Sequence, residues 1–523
     1  MQAYTVLKRC AVHADPFTLF RALAQQVKDA VLLESKDGNG RNNVASMLFL
    51  RSALRVEARG TTVTLTCLSP KGDSALAAAE PFFADIAQVT RTDRGARLVF
   101  PSTRPTGDDL TRIRAIYPSE VLRILSTGWN LGTDDPEKRI SLCGVFAYDH
   151  LDHFEALPPA ATDSLDFPDY VFYLPEEAVV VDHESGIARI LVHGYNATSY
   201  DESCRADLAR AEELAAQVEQ ILPAVERELP GADAFSLSSD VAVNLSDEAY
   251  ADFVLRMQEH IACGDVFQIV PSRTFEMPCA DPVAAYGVLR RLNPSPYLFF
   301  VRHPDFALFG SSPETAVKVY DTPRRASIRP IAGTRRRGYG TDGRLDRDLD
   351  GRLEAELKLN EKELAEHMML VDLARNDIAR VSKPGTRFVP SLLVVERYSH
   401  VMHLVSIVEG ELRDDLDALH AYLACANMGT LVGSPKIEAA KLLRRNEVDK
   451  RGPYGGAVGY LASDGEMDTA IVIRAAIVKD GIARVRAGAG VVFDSDPMAE
   501  AHETRAKASA VLRAIAIAKE ETP

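Results

Sequence analysis

The feature that most constrains the fold is how strand-like and helix-like stretches are distributed along the chain. Short segments rich in β-branched residues and broken by turns dominate roughly the first 190 residues, as in 61–66 (TTVTLT) and 170–174 (YVFYL). Helical patterns at 17–31 and 118–127 interrupt them. From Ser199 to about Glu228 the chain turns Ala/Glu/Arg/Leu-rich and helical. Pro230-Gly231-Ala232-Asp233 and the Ser-rich stretch through Asp240 then read as a linker. The spacing divides the chain into a region 1–230, a linker 231–245 and a region 246–523. Strands grouped in runs, without regular alternation with helices, predict an α+β fold and argue against a doubly wound parallel sheet.

The second region opens with a well-marked helix. Ser246 is placed to cap it, Asp247 and Glu248 suit its first turn, and Gly264 is its expected stop. Tyr250, Phe253, Val254, Met257 and Ile261 give its apolar face. Two further helices are expected at 352–380 and 497–518, with Gly-punctuated strands such as GGAVGYLA and TAIVIRAAIV between them. At 523 residues the chain is too long for one compact core.

Composition removes several classes of function. Lys plus Arg total 60 against 75 for Asp plus Glu, a net charge of −15, which disfavours a general nucleic-acid or anionic-membrane binder. No run of about 18 apolar residues occurs, so no transmembrane helix is expected. The opening MQAYTVLKRCAVHADP has no continuous apolar run, so no secretory leader is expected either. The seven cysteines are scattered and contain no C-x-x-C, which fits free thiols in a reducing cytoplasm.

Two motifs are decoys. Gly338–Gly343 matches G-x-G-x-x-G, but it follows Arg335-Arg336-Arg337 and not a hydrophobic strand, so the dinucleotide context is missing. The same three arginines, in so acidic a chain, read as a solvated loop.

The chemistry-bearing pattern is a pair of carboxylates that occurs twice. The helix EKELAEHMMLVDLARND carries Glu363 and Glu366, followed by His367, and residues three apart share a helix face. The second helix, opening with Asp494-Ser495-Asp496-Pro497, carries Glu500 and Glu503 at the same spacing. A single such pair usually decorates a wet surface. If the two faces meet, four carboxylates repel one another, and either some stay protonated or a cation sits among them. Mg²⁺ suits that role, because it takes few protein carboxylates and completes its shell with water and substrate oxygens. Gly488-Ala489-Gly490 can bring backbone N–H groups close to an anion. Arg474, inside an apolar run, is either an ion-pair partner or a carboxylate clamp, and Tyr454 is either a turn residue or a hydroxyl donor.

Ten ordered segments carry a resemblance. They are DVFQIVPSR (265–273), NPSPYLFF (293–300), GSSPET (310–315), RPIAGTRRRG (329–338) and EKELAEHMMLVDLARND (361–377). RYSHVMHLVS (397–406), MGTLVGSPK (428–436), RGPYGGAVGY (451–460), AGAGVV (487–492) and DSDPMAEAHET (494–504) complete the set. Over these the C-terminal region resembles the chorismate-utilising enzymes, and the whole chain is similar to the large subunits of anthranilate synthases. The resemblance implies two packed antiparallel β-sheets with helices outside, and a lyase that makes anthranilate and pyruvate from chorismate and ammonia. It implies Glu366 and Glu503 as direct Mg²⁺ ligands with Glu363 and Glu500 in support. Gly333, Thr334, Tyr454, Arg474, Gly488, Ala489 and Gly490 are the implied chorismate contacts. Glu314 is the implied general acid, and His403 the active-site histidine.

Three positions separate relatives. Isochorismate and salicylate synthases carry a water-activating lysine where this chain has Gln268, and aminodeoxychorismate synthases commonly carry a nucleophilic lysine where it has Ala332. Leu32-Leu33-Glu34-Ser35, with Pro296-Tyr297-Leu298, resembles a tryptophan-binding element, so feedback inhibition in the first step of tryptophan biosynthesis is implied. Ala45 stands where some relatives have a lysine. No Gly-x-Cys-x-Gly-type segment is present, so a separate glutaminase subunit is the implied ammonia source, and with it a cytoplasmic hetero-oligomer. An aminodeoxychorismate or aminodeoxyisochorismate synthase, or a non-catalytic sensor of tryptophan or chorismate, remains an alternative.

Overall fold

A computed structural model describes residues 1–35, 45–101, 107–195, 200–224, 241–320, 322–340, 343–398 and 401–521. Most of the expected linker, 231–240, lies outside these residues. The fold is α+β, and every ladder between its named strands is antiparallel. An apolar cluster supplied largely by strands, including Val31, Phe49, Val145, Phe299, Leu308 and Val458, fills the interior between sheet faces. Two larger clusters lie where helices cover the outer faces. One involves helices Pro70–Ala84, Glu120–Thr127, Glu361–Ala379 and Ala418–Cys425. The other involves Pro16–Leu23, Tyr200–Gln220, Pro282–Leu292 and Pro497–Glu521. The antiparallel sheets with helices outside match the expected architecture. Strand Ala30–Glu34 pairs with Tyr297–Arg302, and Ser141–Phe146 with Ala457–Ala462, so strands from before and after residue 230 share ladders.

Local expectations mostly hold. The Ser246 hydroxyl caps helix Asp247–Ala262 by accepting from Ala249 N–H, and Gly264 follows at φ +85°. The helix expected at 17–31 ends at Leu23 and gives way to strand Ala30–Glu34. Pairing of that strand on both edges, with Tyr297–Arg302 and Ala45–Arg59, outweighs local propensity. The helix expected at 352–380 is two, Arg347–Leu359 and Glu361–Ala379. Asn360 divides them, because its side chain accepts from Glu363 N–H and restarts the helix.

The three arginines are not the solvated loop expected: Arg335 and Arg336 end strand Ile331–Arg336, and Arg335 and Arg337 are half-buried and paired. Asp350 takes two bonds from the Arg337 guanidinium, at 2.8 and 3.0 Å, and one from Gly338 N–H at 2.8 Å. Arg335 pairs with Glu356 and Glu363.

Candidate active site

Helix Glu361–Ala379 packs on strands Ile331–Arg336 and Val401–Glu411. Its buried His367 fixes the rotation: Nε2 lies 2.7 Å from Ser406 Oγ and Nδ1 3.3 Å from Ala332 O. His367 is thus a satisfied core histidine, and Glu363 and Glu366 flank it. The C-terminal helix packs along helices Asp247–Ala262 and Pro282–Leu292 and strand Ile482–Gly488. Asp496 accepts from Ala499 N–H at its start, and Pro497 takes the first helical position.

The two acidic faces meet. Burial, then repulsion from Glu363 on its own helix and Glu503 on the other, pushes the Glu366 carboxyl above the usual range. Burial and the Glu503 charge likewise raise Glu500, against a bond from Ser495. Two of the four carboxylates have cationic partners: Lys507 reaches Glu503 at 2.6 Å and Arg335 reaches Glu363 at 2.8 Å. Glu366 makes no ion pair within 4 Å among the described residues; its contact is the Gln268 side-chain N–H at 3.3 Å. The Gln268 amide oxygen is fully buried and has no hydrogen-bond partner among the described residues. Gly490 allows this approach, since a Cβ there would lie 2.7 Å from Gln268 Nε2 and 3.7 Å from Glu366 Oε1.

Among the described residues no group of three or more His, Cys, Asp or Glu side chains is drawn tightly enough to hold a metal alone. The donor set fits a hard dication that takes few protein carboxylates, because a half-buried, repelled Glu366 is relieved by positive charge.

Lys507 ties the rest together. Besides Glu503, its ammonium donates to Gly488 O at 3.1 Å, and its charge is felt by Glu314, Glu366, Glu500 and Tyr454. Glu314 is buried, accepts from the Thr430 hydroxyl at 3.0 Å, and is pushed by desolvation up to about 8. Arg474 adopts φ +49°, a conformation costly for a side chain of its size. Burial pulls its guanidinium below the usual value, while Glu503 and Tyr454 oppose that shift. Burial, with the Arg474 charge, lowers His403 to about 4; its Nδ1 lies 2.8 Å from Thr334 Oγ1. Gly333 holds φ +81°, with Glu363 beside it. Tyr454 is buried, and a Cβ on Gly488 would lie 3.0 Å from its hydroxyl. The Ala489 N–H is engaged already, by the Tyr250 hydroxyl at 3.2 Å and Pro271 O at 3.3 Å.

Residues 85–513 match the family described as chorismate binding enzymes. The chain belongs to that family. It is 47% identical over 504 residues to anthranilate synthase component 1 of Vibrio cholerae, covering 96% of this chain and 94% of that one. It is 45% identical over 508 residues to the protein of that name from Escherichia coli, covering 97% and 96%. The crystal structure of anthranilate synthase component I from Streptococcus pneumoniae superposes with a TM-score of 0.66 at 28% identity, covering 90% of this chain and 92% of that one. The menaquinone-specific isochorismate synthase of Escherichia coli shares the fold, with a TM-score of 0.64 at 18% identity.

As a chorismate-binding enzyme the chain has a second notable feature, a cavity of about 450 Å³. Of the seven residues of the expected tryptophan element, Leu33, Glu34, Ser35, Pro296, Tyr297 and Leu298 line it, Leu32 does not, and Ala45 lies in its wall. Glu34 itself is saturated: it accepts from the Tyr286 hydroxyl at 2.5 Å and from two Arg290 nitrogens at 2.8 and 3.2 Å.

Sequence reading missed Lys507 and Thr430. Lys507 lies one turn beyond Glu503 on the same face, a signal the spacing did contain. Thr430 has no local signal; only the fold brings it to Glu314.

Proposed function

We propose that the chain converts chorismate and ammonia into anthranilate and pyruvate, the first step of tryptophan biosynthesis. The observation that carries this reading is the meeting of Glu366 with Glu363 and Glu503 from two distant helices, together with a buried Glu314 that shares the field of Lys507 with Glu366 and stays protonated to about pH 8. Relatives named anthranilate synthase component 1, matched over nearly the whole chain, support it.

Glu366 and Glu503 would hold Mg²⁺ directly, with Glu363 and Glu500 in support. When bound, the ion polarises the ring carboxylate and offsets charge developing at the adjacent carbon. Arg474, Tyr454 and the Gly488–Gly490 segment take the enolpyruvyl carboxylate, and Gly333 and Thr334 line the ring. Gln268 offers an amide oxygen, buried and without a hydrogen-bond partner among the described residues, to an ammonia N–H. It has no amine to activate water, so ammonia is the favoured nucleophile. Glu314 donates its proton to the leaving ring hydroxyl as ammonia attacks. Loss of the C2 proton and of pyruvate then gives the aromatic product. His403, neutral above about pH 4, is in the state a base requires.

Ammonia comes from a glutaminase subunit, since ammonium, the main form at neutral pH, is not a nucleophile. Region 1–230 supplies Glu34 and Ser35 to the regulatory cavity, region 246–523 supplies its Pro296–Leu298 wall and carries the catalytic site, and tryptophan in the 450 Å³ cavity inhibits. No helix among the described residues is long and apolar enough to cross a membrane, and a cytoplasmic hetero-oligomer completes the reading. The test is the purified chain with chorismate, Mg²⁺ and an ammonium salt at alkaline pH, followed by anthranilate fluorescence. Formation of anthranilate is expected; none under these conditions overturns the reading.

A further inference from the structure

The cavity and the proton donor are joined through one side chain. Tyr297 lines the cavity, and its hydroxyl lies 3.0 Å from Thr315 Oγ1 and 2.9 Å from Asp468 Oδ1. Thr315 directly follows Glu314. On the other side of Glu314, Ser312 is the ladder partner of Tyr297, and its hydroxyl accepts from Glu314 N–H at 3.3 Å. The third flank belongs to strand Met467–Ile471. Asp468 and Ala470 of that strand line the cavity, Ala470 pairs with Thr315, and Ile471 N–H donates to Glu314 O at 3.0 Å. The ladder skips a residue between Thr315 and Val317, so this stretch is held by side chains as much as by regular pairing.

We infer that Tyr297 and Thr315 are positioning residues through which the cavity controls Glu314. In one arrangement the Tyr297 hydroxyl holds Thr315 and Asp468, and Glu314 stays aimed beside Thr430. A ligand that packs on the Tyr297 ring and competes for its hydroxyl or for Asp468 releases Thr315, and Glu314 moves with it. These are two discrete hydrogen-bonding states biased by one ligand, which is what coupling between two sites requires. The inference rests on the reading of the cavity as a tryptophan site.

The experiment compares tryptophan binding with tryptophan inhibition. Binding to the full chain is measured by calorimetry, and inhibition by the ammonia-dependent assay with Mg²⁺. Thr315 lies outside the cavity lining, so Thr315→Val, which lacks the link from the start, is expected to turn over more slowly than wild type without tryptophan, to bind tryptophan within about threefold of wild type, and to need at least about tenfold more of it to lose half of its remaining turnover. Thr315→Ser, which restores the hydroxyl, is expected to recover inhibition. Tyr297→Phe is expected to follow Thr315→Val once inhibition is scaled to its own binding. Inhibition of Thr315→Val in wild-type proportion to binding overturns the relay. Should Thr315→Val fail to fold, Tyr297→Phe scored as the ratio of inhibition to binding decides alone. Wild type that binds tryptophan with no loss of turnover, or does not bind it, overturns the inhibitor reading instead.

Discussion

The cavity and the acidic site hold similar numbers of charges but treat them in opposite ways. Around the cavity each carboxylate has its cation: Glu34 with Arg290 at 2.8 Å, Asp468 with Lys318 at 2.9 Å, Glu137 with Arg189 at 3.4 Å. In the acidic site Glu366 has a single amide contact and two repelling neighbours, and Glu314 has a threonine hydroxyl and a backbone N–H but no ion pair among the described residues. The first arrangement is satisfied with nothing bound. The second is left frustrated, and a frustrated carboxylate can take a metal or give a proton. Loss of a carboxylate should therefore destabilise one region and stabilise the other, and that contrast can be broken by experiment.

The largest effect is expected at Glu314. Replacing it by Gln removes the acid and is expected to lower kcat by about 10²–10⁴. In the wild type, kcat/KM corrected for the ammonia fraction should fall as pH rises through about 8, because the donor must be protonated; the variant should lack that limb. The raised value also costs folding free energy. The penalty is absent near pH 4, grows above the ordinary carboxylate range and reaches roughly 3 kcal/mol at pH 7. Glu314→Gln should thus melt higher than wild type at pH 7 and equally at pH 4. A variant less stable at both would show that Glu314 is satisfied after all.

Next comes Glu366→Gln, expected to cost several kcal/mol of transition-state stabilisation, about 10³ in rate, and to abolish the response to added Mg²⁺. In metal-free buffer its Tm should rise, since a repelled carboxylate is gone. Full Mg²⁺-dependent activity in this variant would remove the metal assignment.

How much of this could be read from the chain depended on range. The i, i+3 glutamates were legible because helical periodicity is local, and so was Ser246 as a cap. That the two helices face each other was not local, and only their doubled pattern hinted at it. Helix 17–31 was misread because the strand at Ala30–Glu34 is made by its two sheet partners. Asn360 could have been recognised, as Asn followed three residues later by Glu is a helix-start signature. Thr430, and the hydroxyl links from Tyr297 to Thr315, depend on tertiary pairing and leave no local trace.

On the satisfied side, Glu34→Gln keeps the shape but removes the charge opposite Arg290. Breaking a buried pair costs about 3–5 kcal/mol, and the lower end is expected because Arg290 keeps Asp15 at 2.9 Å. Thermal or urea unfolding at pH 7 checks this, and the sign should oppose that of Glu366→Gln. Equal signs would dissolve the distinction between the two regions.

The smallest effect is expected at Ala45, in the cavity wall. The arginines and lysine that line the cavity each face a carboxylate: Arg139 has Glu466 and Asp464, Arg189 has Glu137, and Lys318 has Asp468. A zwitterionic amino acid entering the cavity must therefore share a cation that is already paired. Ala45→Lys would add one with no partner assigned to it, and a charge-assisted hydrogen bond to the ligand carboxylate adds about 1.5 kcal/mol, roughly tenfold in affinity. Calorimetric titration of tryptophan into both proteins measures it. Because the new ammonium acts on binding and not on the Tyr297–Thr315 link, inhibition should tighten by the same factor as affinity. A variant that binds tighter yet inhibits no better would mean that occupancy and control are carried by different parts of the cavity wall.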